Sequence, residues 1–179
     1  MRRCSVRGKH VAALTLVAMG AVAVAFANGL RQWSATLSPF NEVPALSTPA
    51  SGKFSATISD DETSVSWELS YADLQGSVTQ AHIHLGQRNV NGGVSVFLCT
   101  NLGNGPVGTQ PCPPAPATIS GTFTAADVIG PGSQGIAAGE FEELLRAIRA
   151  GRTYANVHTT LFPGGEARGQ LSVGQGHRH

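Results

Sequence analysis

Charge is scarce in this chain. Asp, Glu, Lys and Arg together make up 13% of its 179 residues, against the ~25% usual for soluble domains, which excludes a disordered polyelectrolyte. Aromatic residues are few as well, at 6%. The formal net charge of +1 conceals an asymmetry, because Arg2, Arg3, Arg7 and Lys9 all lie in the first ten residues. Beyond them eight basic residues face eleven acidic ones. No basic footprint for a phosphate backbone is left, so no nucleic-acid partner is expected. Also missing are a Gly-x-Ser-x-Gly elbow, a P-loop and a His-Glu-x-x-His helix, which withholds the usual sequence signs of a hydrolase, a nucleotide site or a zinc protease.

Long apolar runs are limited to one. Val11 to Ala27 carries no charge, follows the basic start and ends in Ala25-Phe26-Ala27 before Asn28. A basic start, an apolar middle and an Ala-x-Ala ending describe a secretory signal peptide. The run is shorter than the ~20 residues that span a bilayer, and Cys4 precedes it, so no lipid-attachment cysteine is evident. Residues 1–27 are therefore expected to be removed, leaving a secreted or periplasmic protein with no membrane span. Export implies an oxidising compartment, where the two remaining cysteines, Cys99 and Cys112, can pair as a disulfide with none left over. The Cys-x-x-Cys spacing of a metal or redox pair is absent, and the segment between them is full of turn residues, which reads as a long loop.

What is present is alternation. Trp33, Ala35 and Leu37 alternate with serine and threonine, as do Phe54, Ala56 and Ile58; Val65, Trp67, Leu69 and Tyr71 alternate with serine and Glu68. Each stretch reads as a strand with one wet face. Further strands are expected over 79–85, 94–99, 117–123, 153–160 and 166–173. One segment has a different period: between Gly139 and Gly151, Phe141, Leu144, Leu145 and Ile148 recur every three or four residues, with Glu140, Glu142 and Glu143 early and Arg146 and Arg149 late. That is a short amphipathic helix matched to its own dipole. The expected fold is mainly β: an antiparallel Greek-key sandwich or barrel of about eight strands with one helix, over residues 28–173. Residues 174–179, which hold His177 and His179, read as a flexible tail.

Candidate chemistry lies in the histidines. In Ala81-His82-Ile83-His84-Leu85 the two imidazoles share one strand face and the aliphatic residues take the other. The aliphatic side must be the core side, so His82 and His84 point outward or into a loop-covered pocket. Val157 between Asn156 and His158 repeats the pattern. If the two strands are neighbours, three neutral imidazoles meet, the right donor type and number for a single copper or zinc ion. Glu166 and Arg168 are candidates for supporting or anion-binding roles at the same patch. The alternative open at this point is that each histidine binds a loop backbone or faces solvent.

The ordered motifs Ala81-His-Ile-His-Leu-Gly86, Asn91-Gly92, Val94-Ser-Val-Phe-Leu98, Tyr154-Ala-Asn-Val-His-Thr159 and Pro163-Gly-Gly-Glu-Ala-Arg-Gly-Gln-Leu171 resemble the CHRD domain, named after chordin. Ser34-Ala-Thr-Leu-Ser38 and Asn41-Glu-Val-Pro44 are similar too, so the likeness runs from about Trp33 to Val173. Ala167 departs from it, standing where the family usually carries a larger aliphatic residue. The resemblance implies an extracytoplasmic, mostly β module with no established catalysis, binding a protein or small ligand that the family does not identify. His82, His84, His158, Glu166, Arg168 and Gln170 fall on its motif positions, and Asn156 and Gln170 join Glu166 and Arg168 as candidates for supporting or ligand-binding roles. A looser likeness is to copper/zinc superoxide dismutase, a Greek-key barrel with a His-x-His strand. This chain lacks the further histidines and aspartate that enzyme needs for its second metal. An exported non-catalytic binding module and a single-ion copper or zinc protein are therefore the two functional expectations.

The intact mass of the exported protein should correspond to a chain beginning at Asn28; retention of Met1 on membrane-bound material would overturn the reading of the first 27 residues.

Overall fold

A computed structural model describes residues 31–174; the expected signal peptide and the histidines of the tail lie outside them. The strands are β1 (Gln32–Leu37), β2 (Ser51–Ile58), β3 (Ser64–Ala72), β4 (Val78–Leu85), β5 (Val94–Thr100), β6 (Ala117–Thr124), β7 (Thr153–Thr159), β8 (Ala167–Gln170) and β9 (Ser172–Val173), with helix α1 (Phe141–Arg149) between β6 and β7. They form two antiparallel sheets, one in the order β6-β3-β2-β1-β9 and one in the order β5-β4-β7-β8. The sheets pack face to face as a sandwich, as the alternating pattern implies.

The core follows from that alternation. Trp33, Leu37, Phe54, Ile58, Trp67 and Leu69 from the first sheet are buried, as are Ala81, Ile83, Val96, Leu98 and Val157 from the second. The serines and threonines of β2 face the opposite way and stay exposed or half-exposed. Helix α1 buries Phe141, Leu144, Leu145 and Ile148, all four residues of its apolar stripe. Its acidic first turn and basic last turn oppose the helix dipole, and Arg149 also reaches Glu62 in the β2–β3 turn at 2.6 Å.

One expected strand divides in two. The stretch 166–173 forms β8 in one sheet and β9 in the other, because Leu171 turns into the core and its amide binds Thr153 O at 2.9 Å. Ser172 and Val173 then pair with Ser34 and Trp33 of β1. Along the same edge Ser38 bridges to Arg168, so β1 and β8 tie the two sheets together where a strand changes sheet. That approach requires glycine at 169: a Cβ there would lie 2.6 Å from Thr36 O.

Cys99 and Cys112 are disulfide-bonded across thirteen positions of sequence. Asn101 braces the loop that the bond closes, accepting from the Cys112 amide at 3.0 Å and donating to Cys112 O at 2.9 Å. Closing a loop of this length is worth ~3 kcal/mol in the chain-entropy account. Cys112→Ala should therefore lower the unfolding free energy by ~2–4 kcal/mol, measured by urea denaturation, and addition of reductant should bring the wild type down by a similar amount while leaving the variant unmoved.

Candidate functional site

Strand β4 has two buried faces. Ala81 and Ile83 lie in the core; His82 and His84 point the other way and are still only 2% and 7% exposed, with His158 at 6%. The neighbouring strand explains the grouping: β7 pairs antiparallel with β4, setting His82 opposite Asn156, His84 opposite Tyr154 and Gln80 opposite His158. β8 continues the rows, with Arg168 beside Asn156 and Gln170 beside Tyr154. One polar layer thus runs across three strands on the side away from the core. Of the two orientations open from sequence, the loop-covered one is found.

Each of the three histidines offers a ring nitrogen such that all three atoms lie within 4.8 Å of one another, and no other described His, Cys, Asp or Glu joins the group. The hydrogen bonds assign the tautomers. His84 Nδ1 lies 3.0 Å from Gly92 O and His158 Nδ1 lies 3.0 Å from Pro163 O. A carbonyl only accepts, so both Nδ1 atoms carry the proton and both Nε2 atoms hold a lone pair. His82 Nδ1, 3.2 Å from His158 Nε2, must then donate to it. That leaves His82 Nε2 and His84 Nε2 as buried lone pairs with no partner in the protein.

Burial also keeps the rings neutral. It is the main cause that brings His82 down to about 2, with His158 and His84 adding to it. His84 falls to about 4, chiefly by burial and with help from His158 and Arg168, against the bond to Gly92, which opposes the shift. His158 is lowered by burial and raised in part by Pro163.

The surrounding residues hold the layer in place. The Tyr154 ring stacks on His84 with centroids 4.8 Å apart and planes 5° apart, and the Arg168 guanidinium sits 3.5 Å above the other side of that ring system. Arg168 donates to Asn91 Oδ1 at 3.1 Å, Gln87 O at 3.1 Å and Val90 O at 2.7 Å. It therefore clamps the 86–93 loop over the imidazoles. Gln170 Nε2 donates to Gly86 O and Gly151 O, each at 2.9 Å. Asn156 Nδ2 donates to Glu42 at 3.0 and 3.2 Å. Glu166 takes a different position from the one expected of it: its fully buried carboxylate accepts from Gln75 N at 2.7 Å and Thr159 Oγ1 at 2.8 Å, bracing the turn before β4.

Two members of the layer were not singled out from the sequence as site residues. Tyr154 could have been, since it shares the face of Asn156 and His158. Glu42 gives no such sign, because a loop carries it there from far along the chain. Its carboxyl is raised to about 7 by burial, against the Asn156 hydrogen bond and the charge of Arg168. Gly165 is packed onto the pair with φ +126°, and a Cβ at that position would meet Asn156 Oδ1 at 2.4 Å and Glu42 Oε1 at 2.7 Å.

A two-sheet β sandwich with a buried imidazole cluster beneath its loops is the class that fold and site define. The model of the CHRD domain matches residues 33–171, and the chain belongs to that family. No curated protein and no solved structure matches it.

The donor set fits a metal ion. Nitrogen ligands at ~2.0–2.1 Å from a tetrahedral zinc stand about 3.3 Å apart, so the group must close, and an ion held by all three rings displaces the hydrogen bond from His82 Nδ1 to His158 Nε2. The two nitrogens left without a partner are of the kind such an ion would use.

In metal-free protein the same groups set an acid dependence. Each histidine has a folded pKa below its unfolded value, so the unfolded chain takes up more protons and stability is lost as pH falls below ~6.5. Glu42 is raised, so between about 7 and its ordinary 4.5 the folded state binds the extra proton and stability rises as pH falls. Glu42→Gln removes that offset. Urea denaturation from pH 7 to 5 in a chelator should show stability falling more steeply in the variant, by up to ~1.4 kcal/mol per pH unit.

Proposed function

We propose that this protein is an exported CHRD-domain binding module, formed by residues 28–173 after removal of residues 1–27, that holds one copper or zinc ion on His82, His84 and His158. The observation that carries the reading is the pair of buried Nε2 lone pairs on His82 and His84 in a cluster of three imidazoles that each offer a ring nitrogen within 4.8 Å of the others. Leaving a buried acceptor unsatisfied costs ~1–3 kcal/mol, and a cation relieves two such costs at once. The proton positions support it too. Donation of Nδ1 to a backbone carbonyl is the outer contact that orients a ligating histidine and fixes its free nitrogen, and both His84 and His158 have it.

The neighbouring residues support the donors without joining them. Arg168 and Gln170 tie down the loops whose carbonyls orient the rings, Asn156 anchors Glu42 within the layer, and Glu166 fixes the turn leading into β4. Membership of the CHRD family is consistent with a non-catalytic module, and the disulfide suits an extracytoplasmic setting.

Isothermal titration of the full chain carrying His177→Ala and His179→Ala should show one equivalent of copper or zinc bound with a Kd of about 1 μM or tighter, ~8 kcal/mol. His84→Ala should weaken that binding by ~100-fold or more, ~2.7 kcal/mol. A wild-type Kd no tighter than ~1 mM, or an isotherm unmoved by His84→Ala, would overturn the metal reading and leave the imidazoles as a structural layer of the module.

A further inference from the structure

The oxidation state of the ion follows from the charges around it. Three neutral imidazoles supply donors and no negative charge. The buried acids among the described residues are Glu42 and Glu166, and neither belongs to the donor group. Glu166 accepts from Gln75, Gly76 and Thr159, and Glu42 accepts from Asn156. The nearby cation has the wrong sign to help: Arg168 stands against the far face of Tyr154, which is stacked on His84.

Taking an ion out of water costs an amount that grows as the square of its charge, so a divalent ion is penalised roughly four times as heavily as a monovalent one of similar size. A carboxylate ligand or a bound hydroxide would offset that cost at an open site, where zinc on three protein ligands completes its tetrahedron with water. Here rings crowd the imidazoles. The Phe97 and His82 ring centroids lie 4.3 Å apart with the rings nearly perpendicular, and those of Tyr154 and His84 lie 4.8 Å apart with the rings stacked, and neither hydrocarbon ring surface replaces a water's hydrogen bonds. Imidazole nitrogen suits both copper and zinc, and of the two only copper is available as a stable monovalent ion.

We propose that the His82, His84 and His158 site selects cuprous copper, Cu(I), over Zn(II), because a buried ring of neutral donors beside an arginine disfavours the second positive charge. This rests on the metal reading above and adds to it the identity of the ion.

The test is an anaerobic competition titration of the full chain carrying His177→Ala and His179→Ala, using chromophoric chelators with Cu(I) alone and Zn(II) alone. Cu(I) should bind more than tenfold more tightly than Zn(II). Phe97→Glu places a carboxylate beside His82 and should lower the Cu(I) to Zn(II) affinity ratio at least tenfold, while the neutral Phe97→Gln should leave it near the wild-type value; circular dichroism establishes that each variant is folded. A wild-type ratio below tenfold overturns the proposal, as does a folded Phe97→Glu whose ratio equals that of Phe97→Gln. If Phe97→Glu does not fold, the wild-type ratio alone decides. Failure to bind either ion removes the metal site itself, whereas a preference for zinc removes only the assignment of the ion.

Discussion

The four-stranded sheet is buried on both faces, and one of those faces is polar. All seven residues of β7 are buried, although Thr153, Tyr154, Asn156, His158 and Thr159 carry polar side chains. A polar group taken from water needs a partner or it destabilises the fold, so the loops above this sheet are not free to take any course. They are drawn to positions where Gly92 O and Pro163 O receive His84 and His158, and where Gln87 O, Val90 O and Asn91 receive Arg168. The dependence runs both ways. The side chains hold the loops closed, and the loop carbonyls decide which nitrogen of each imidazole carries its proton.

Much of the sandwich was legible in the sequence because its first sheet has the simple form that period-2 alternation reports: apolar inward, hydroxyl outward. The helix was legible for the same reason at a different period. The second sheet was harder to read, since polarity on alternate residues normally means water and here means a covered layer. His82, His84 and His158 could be assigned to the side away from the core, but not to a depth, because depth depends on where the 86–93 and 160–165 loops go. The division of 166–173 was hidden because Gly169 and Leu171 continue the strand pattern locally. The change of sheet at Leu171 answers to packing against β1. Glu42 was illegible as a member of the site for the related reason that its loop is long and without period.

Within the polar layer, charge is handled by stacking and by neutralisation. Arg168 keeps its charge while lying over Tyr154, with its hydrogens satisfied by backbone and amide oxygens instead of a carboxylate. Glu42 has only the amide of Asn156 and the more distant guanidinium to offset burial, which is why its proton is held up to about 7. The three imidazoles stay neutral for the opposite reason, burial acting on a group whose charged form is cationic. At neutral pH the layer therefore holds one persistent positive charge and a carboxyl close to its midpoint, around donors that carry none.

Such a layer is expensive in the absence of a ligand. Each buried lone pair without a partner costs ~1–3 kcal/mol, and His82 Nε2, His84 Nε2, Asn156 Oδ1 and Gln170 Oε1 are four such atoms in one stratum. The opposite side of the same strands is an apolar core braced by a disulfide, which is where the compensating stability resides. A ligand that satisfies the ring nitrogens recovers part of the cost on binding, and it adds to folding stability according to its affinity for the native state alone. The polar layer and the apolar core thus divide the sheet into a side that stabilises the fold and a side that keeps buried ring nitrogens without a protein partner, and only the second has anything to gain from a ligand.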